Sequence, residues 1–202
     1  MESVRIHPVG ATALLLECPA AEVEAWRAEL WRRRAAGELT ATEIVPGERT
    51  VLLDGVDTPA EVIAGWAPPP PTGAAAADVV TIPTVYDGPD LPAIAALWSM
   101  PIPAVISLLT GTEFRVAFCG FTPGFGYLTG LPAELAVPRL ASPRTSVLAG
   151  SVGLAGPYAG IYPTASPGGW QLVGRTDVTL FDVDRDPPAL LAPGTVVRLV
   201  AA

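Results

Sequence analysis

Residues 120–175 read GFTPGFGYLTGLPAELAVPRLASPRTSVLAGSVGLAGPYAGIYPTASPGGWQLVGR, and the fold of the chain is decided there. The stretch holds 11 of the 20 glycines and 7 of the 23 prolines. Glycine takes positive φ and lets backbone approach closely, while proline fixes φ and removes a donor. A segment so dense in both is no helix. Nor is it a linker, because the Val, Leu, Ile, Tyr and Trp between the turns need burial. The pattern predicts a compact, turn-rich β-structure with shaped loops. Its only charges are Arg139, Arg144, Arg175 and Glu134, a local +2, whereas the rest of the chain has nine Arg against nineteen acids. A local inversion made only of arginine suits a pocket or groove for an anion.

Outward from this block, composition sets the limits. The 202 residues are enough for one large or two small domains with a real core. Half the residues are apolar, yet no run long enough to span a bilayer occurs, and no membrane partner is expected. The start, MESVRIHPVG, lacks a basic stretch leading into an apolar run, so no signal peptide is read. Cys18 and Cys119 make no disulfide framework, which fits buried thiols and a cytoplasmic location. A net charge of −8 argues against a nucleic-acid partner.

Absences narrow the chemistry further. There is no Lys, no Asn and a single His, His7. That excludes a P-loop lysine, a Schiff base, a biotin attachment site and a Ser–Lys centre. A nucleophile–His pair has only His7 to use, and a zinc site would need it beside scattered cysteines and carboxylates. No residue is named as catalytic, and no metal site is read.

The pattern divides the chain into an N-terminal α/β domain (1–66), a Pro/Ala-rich linker (67–77, APPPPTGAAAA) and a β-rich domain (78–202). In the first, strands are expected at 4–7, 13–17, 41–45 and 50–53, with helices at 20–35 and 58–66, Pro59 opening the second. Val23, Trp26 and Leu30 share one helix face, and Arg32, Arg33 and Arg34 in the last turns read as a solvated cap before Gly37. The β-rich domain opens with a strand (79–85), a YDGPDL turn and helices at 91–98 and 103–109. FRVAF, SVGLA, AGIY, WQLVG, VTLFDV and TVVRLV then read as strands of a closed or nearly closed barrel.

GFTPGFGYLTGLP, PR…SPR…AGSVGLAG, GIYP, SPGGWQLVGRT and LLAPGTVVRLV together resemble the family of the 5-oxoprolinase B-type subunit. The family is also called allophanate hydrolase subunit 1 (carboxyltransferase domain, subdomains C and D) and includes the kinase inhibitor KipI. The resemblance covers nearly the whole chain. It implies an α+β chain, with a small N-terminal α/β domain followed by a cyclophilin-like β-barrel. It also implies a C-type (KipA-like) partner and an A-type partner, with which such a chain cleaves the lactam 5-oxoproline at the expense of ATP. ATP is then expected to be bound by the complex rather than by this chain alone. Two other readings are a KipI-like binding module acting on a histidine kinase and a carboxyltransferase module of a urea carboxylase type. The chain departs from the family pattern at Leu109, Leu140, Leu148 and Tyr158-Ala159, and three of these four changes lose polar groups. Leu109 either faces a pocket that has lost a histidine or lies in the core at a helix end.

The candidate site residues follow from chemistry. Arg144 and Arg175, with no acid near them in the block, are candidates to hold a carboxylate or phosphate; the alternative is a structural ion pair. Gly150 and Ser151, and Ser166, Gly168, Gly169 and Trp170, form runs whose N–H groups suit an anion nest, or are tight turns. Phe125 and Tyr127, with Phe121, read as a ligand-stacking wall or as loop anchors, and Tyr162 joins the list of candidates. Arg139, after Pro138, reads as a turn cap.

Overall fold

The structure, a computed structural model, describes residues 4–68 and 79–202. From residue 69 on, the expected linker lies outside the described residues. The chain divides into two compact units between Ala76 and Ala77.

In the N-terminal unit, β1 (Arg5–Val9), β2 (Ala13–Glu17), β3 (Glu43–Pro46) and β4 (Thr50–Asp54) form an antiparallel sheet in the order β1-β2-β4-β3. Every second residue of β3 and β4 is buried, as a sheet covered on one face requires. The cover is α1 (Val23–Ala35), which sets Val23, Trp26 and Leu30 among Leu16, Ile44, Val51 and Leu53. Regular α-helix begins at Val23, later than expected, because Ala20–Glu22 forms a 3-10 turn behind Pro19. The other end follows expectation: Gly37 has φ +74° and Glu38 N–H returns to the Arg33 carbonyl at 2.9 Å. The helix expected at 58–66 is only α2 (Ala60–Ala64), with Pro59 just before its first residue rather than in it.

One reading in this unit is corrected. The arginines after Trp31 are no plain solvated cap. Glu29 is 5 % exposed. Arg32 grips it with two hydrogen bonds (2.8 and 2.9 Å), and Arg33 adds a third at 2.7 Å. The Arg33 guanidinium also lies 4.1 Å over the Trp66 ring, and that of Arg34 lies 3.8 Å over Trp31. The Arg32 hydrogen bonds hold the Glu29 carboxyl down at about 2, against the opposing push of burial and with Arg33 assisting.

The C-terminal unit contains β5 (Val79–Thr84), α3 (Leu91–Leu97), α4 (Ile102–Gly111), β6 (Phe114–Cys119), β7 (Gly126–Thr129), β8 (Arg144–Val147), β9 (Ser151–Ala155), β10 (Tyr158–Ile161), β11 (Ser166–Gly168), β12 (Gln171–Arg175) and β13 (Val196–Ala201). Seven strands form one sheet, β12-β9-β10-β7-β6-β13-β5, with β13 and β5 parallel and the other pairs antiparallel. The sheet ends meet: Val85 and Arg175 exchange backbone hydrogen bonds of 2.8 and 2.9 Å, and Gly88 N–H reaches the Val173 carbonyl. Only glycine fits at position 174 on this seam, since a Cβ there would strike the Val85 carbonyl. The result is a nearly closed barrel, the β-barrel that the sequence led us to expect.

The barrel interior packs Ile82, Phe114, Val116, Leu128, Leu154, Ile161, Val197 and Leu199 with Leu91, Ile94, Val105 and Leu109 from the two helices. Leu109 is fully buried in that core. Its departure from the family pattern therefore sits in the packing.

One expected strand is absent. In residues 178–183 only Phe181 makes a bridge, to Ala189. Arg185 takes the carbonyls of Thr179, Leu180, Pro187 and Pro188, so this backbone folds around a side chain instead of joining a ladder. Conversely, β7, β8 and β11 exist where glycines and prolines hid the alternation; β8 and β11 pair as a separate ribbon. No single helix among the described residues is long and apolar enough to cross a membrane.

Candidate functional site

Strand β7 faces two ways. Leu128 points into the barrel, and Tyr127, its neighbour, points to the opposite face of the sheet. There a second, smaller core collects Phe125, Val147, Ala155, Tyr162, Trp170 and Leu172. Phe125 is its hub. Its ring meets those of Phe121, Tyr127, Tyr162 and Trp170 edge-on, with centroids 5.1–5.5 Å apart. Over this aromatic floor opens a cleft of about 250 Å³, completed by Arg139, Pro143, Pro167, Gly168 and Gly169.

The aromatics differ sharply in exposure. Phe125 and Tyr162 are each 1 % exposed and hold the loops; Phe121 is 60 % exposed and stands at the rim. Phe121 adopts φ +68°, a left-handed conformation rare for a bulky residue. It presses edge-on against Phe125 and Tyr162.

Tyr162 is held tightly. A Cβ at Gly168 would collide with its hydroxyl, so only glycine allows β11 to pass so close. Burial raises the Tyr162 phenol above its ordinary value, while a hydrogen bond from the Trp170 backbone and the charges of Arg139 and Arg144 pull the other way.

The predicted site residues separate into two sets. Phe125, Tyr127, Tyr162, Gly168, Gly169 and Trp170 line the cleft. Arg144, Arg175, Gly150, Ser151 and Ser166 are not among its lining residues. Arg144 Nη2 bonds Asp90 Oδ1 at 2.9 Å, and its Nη1 reaches the Trp170 carbonyl at 3.4 Å. The second Asp90 oxygen accepts the Leu172 N–H at 2.6 Å. Arg144 thus braces the cleft wall from behind, and its fork is taken. Arg175 Nε bonds Asp87 Oδ2 at 2.9 Å on the barrel seam, largely in solvent. The structural ion pair, and not the free cation, describes both. The acids come from the YDGPDL turn, outside the block.

The nest read at Gly150 and Ser151 is corrected too. Gly150 N–H donates to the Tyr162 carbonyl at 2.7 Å and Ser151 N–H to the Leu148 carbonyl at 3.2 Å, which makes a tight turn with engaged donors. Ser166 and Gly168 pair with β8, and Pro167 between them has no N–H to offer. Gly169 contributes its carbonyl to Leu140 N–H at 2.8 Å.

Sequence reasoning undervalued Arg139. Of the six arginines in the C-terminal unit, Arg115, Arg144, Arg175, Arg185 and Arg198 have carbonyl or carboxylate partners. Among the described residues Arg139 has no hydrogen bond or ion pair, and no acid lines the cleft beside it. The signal available was the excess of three arginines over a single acid, Glu134, in the block, which did not say which arginine would be left over.

The cleft does not fit ATP. Its volume is below the ~300–1,000 Å³ of drug-sized ligand pockets, and no lysine or Gly-rich turn opening a helix is at hand for phosphates. No group of three or more His, Cys, Asp and Glu suited to a metal ion exists among the described residues.

Residues 4–191 match the family described as carboxyltransferase domain, subdomain C and D. The chain belongs to that family. It is 39 % identical to the B-type subunit of 5-oxoprolinase from Escherichia coli O157:H7, over 99 % of this chain and 97 % of the relative. Identity to the corresponding 5-oxoprolinase chain of Bacillus subtilis is 44 % over 60 % of this chain, and the match spans about half of that relative (52 %). Among solved structures, TTHA0988 superposes with a TM-score of 0.75 at 33 % identity over 95 % of this chain, which spans only 40 % of TTHA0988. An uncharacterized protein of Pyrococcus horikoshii, PH0987, superposes at 0.59 with 30 % identity and 98 % and 97 % coverage. The Kluyveromyces lactis urea amidolyase shares the fold at 0.73, with 20 % identity over 98 % of this chain and 15 % of that one. The family read from the motifs is the one the comparisons find.

Proposed function

We propose that this carboxyltransferase-family chain is the B-type component of an ATP-dependent 5-oxoprolinase complex in the cytoplasm. It completes its active site with a C-type, KipA-like partner and works with an A-type one. The observation that carries this reading is the end-to-end match to the Escherichia coli 5-oxoprolinase chain. The cleft adds chemical support. It offers a guanidinium, phenols and backbone groups, but no carboxylate, histidine or thiol to act as general base or nucleophile on a lactam. The chain therefore supplies binding surface, and other chains of the complex supply the reacting groups and the ATP site.

The experiment is 5-oxoproline-dependent ATP hydrolysis by the purified chain alone and mixed with its A-type and C-type partners. Turnover should require the mixture. Turnover by the single chain at a rate comparable to the mixture would overturn the divided site, and its absence from the mixture would overturn the assignment to this complex.

A further inference from the structure

We infer that the aromatic cleft is a carboxylate pocket of this chain, in which Arg139 and the Tyr162 hydroxyl take the anionic end of a small ring compound whose flat body lies against the aromatic floor. The inference deepens the proposed function. It rests on that reading for the lactam ring and on the cleft alone for the carboxylate.

Three observations carry it. First, Arg139 is the one arginine of the C-terminal unit without a partner among the described residues, and it stands at a cleft with no acid in its lining. A guanidinium beside buried aromatic surface, with no counter-charge of its own, is a ready partner for a planar anion. Second, the donor beside it is pre-set. The Gly168 backbone passes so close to the Tyr162 hydroxyl that a Cβ there would collide with it, which fixes the phenol in place. Its own proton has no carbonyl or carboxylate acceptor among the described residues, so it can be offered to the cleft. Third, the walls suit a ring: Phe121, Phe125 and Trp170 meet the cleft, which at about 250 Å³ admits a single small ring with its carboxylate and little more. Phe121, exposed on the rim in its left-handed conformation, is placed to close over that ring.

The other cations near the block sharpen the contrast. Arg144 and Arg175 already hold Asp90 and Asp87, so a ligand carboxylate would have to displace an existing pair. Arg139 displaces nothing.

The test is calorimetric titration of the full chain with three probes: 5-oxo-L-proline, its uncharged carboxamide, and cyclopentanecarboxylate. Both acids should bind, and the carboxamide should bind about ten-fold or more weakly than the lactam acid, as loss of a charge-assisted hydrogen bond implies. Arg139→Gln, a change at an exposed residue, should lower affinity for both acids by about ten- to a hundred-fold with an unchanged melting temperature. Arg139→Lys should restore only part of it, since a point charge replaces a fork. Equal affinity for acid and carboxamide would overturn the inference, as would binding that Arg139→Gln leaves intact or no acid binding by the isolated chain. Those failures are separable from failure of the proposed function. An active complex whose B-type chain binds no acid sinks the pocket alone, while acid binding through Arg139 with an inactive complex sinks the complex alone.

Discussion

In the N-terminal unit, the arginines at the end of α1 close on an acid that the same helix provides three and four residues earlier. In the C-terminal unit, Arg144 and Arg175 find their acids 54 and 88 residues away in sequence, and Arg139 finds none. Neighbouring positions on a helix face each other whatever the rest of the chain does. Across a barrel, which acid meets which arginine depends on strand order and on where the sheet closes. The same residue type thus has a locally decided fate in one unit and a globally decided one in the other. The arginine left over in the second case marks the cleft.

The sharpest way to break this contrast is to remove a distant acid. Asp90→Ala should leave the half-buried Arg144 uncompensated and the Leu172 N–H unpaired, at a cost of about 3 kcal/mol in a denaturant titration. A loss below about 1 kcal/mol would mean that Arg144 is no brace, and would return it to the set of available cations.

Next in size is the local cluster. Glu29→Gln should cost roughly 2 kcal/mol by weakening charge-assisted hydrogen bonds to Arg32 and Arg33. The pH dependence follows from the direction of the shift. The folded carboxyl titrates at about 2 against an ordinary 4.5, so the unfolded chain takes up the proton first as pH falls. Its contribution is complete above about pH 5, and drains away between there and pH 2. Melting curves of Glu29→Gln should therefore be flatter across that window than those of the parent protein. Parallel curves would show that Glu29 is not the group being titrated.

The smallest effect is expected on the seam. Arg175→Gln removes an exposed pair with Asp87 and should change stability by less than about 0.5 kcal/mol. In an active complex it should leave the 5-oxoproline dependence of ATP hydrolysis as it was. A large kinetic loss there would make Arg175 a functional cation after all.

Much of the fold was legible beforehand because its signals are local. The expected strand at 13–17 coincides with β2, α1 ends at Ala35 as expected, two residues before Gly37, and the helices before β6 begin within a residue of their expected positions. Misreadings occurred where long-range contacts override local pattern. VTLFDV has the composition of a strand, but Arg185 claims the carbonyls of Thr179 and Leu180. β7, β8 and β11 lie in glycine- and proline-rich sequence, yet ladder partners from elsewhere in the unit hold them extended. In the cleft, the aromatic residues and the two glycines were identifiable by type, whereas the choice among Arg139, Arg144 and Arg175 was not.

The amino-acid sequence by itself determined a turn-rich β block with a local positive charge, an α/β unit before it, the family through its ordered motifs, and a chain with no Lys, no Asn and a single His. These depend on residue identity and short-range spacing, which folding does not change. Only the tertiary structure decided that the sheet closes through Val85 and Arg175, that Leu109 belongs to the core, and that Arg139 is the one arginine of the C-terminal unit without a hydrogen-bond or ion-pair partner among the described residues. The reason is physical. Burial and charge pairing are set by which surfaces meet, and in a barrel with strand order β12-β9-β10-β7-β6-β13-β5 the meeting partners are mostly far apart along the chain.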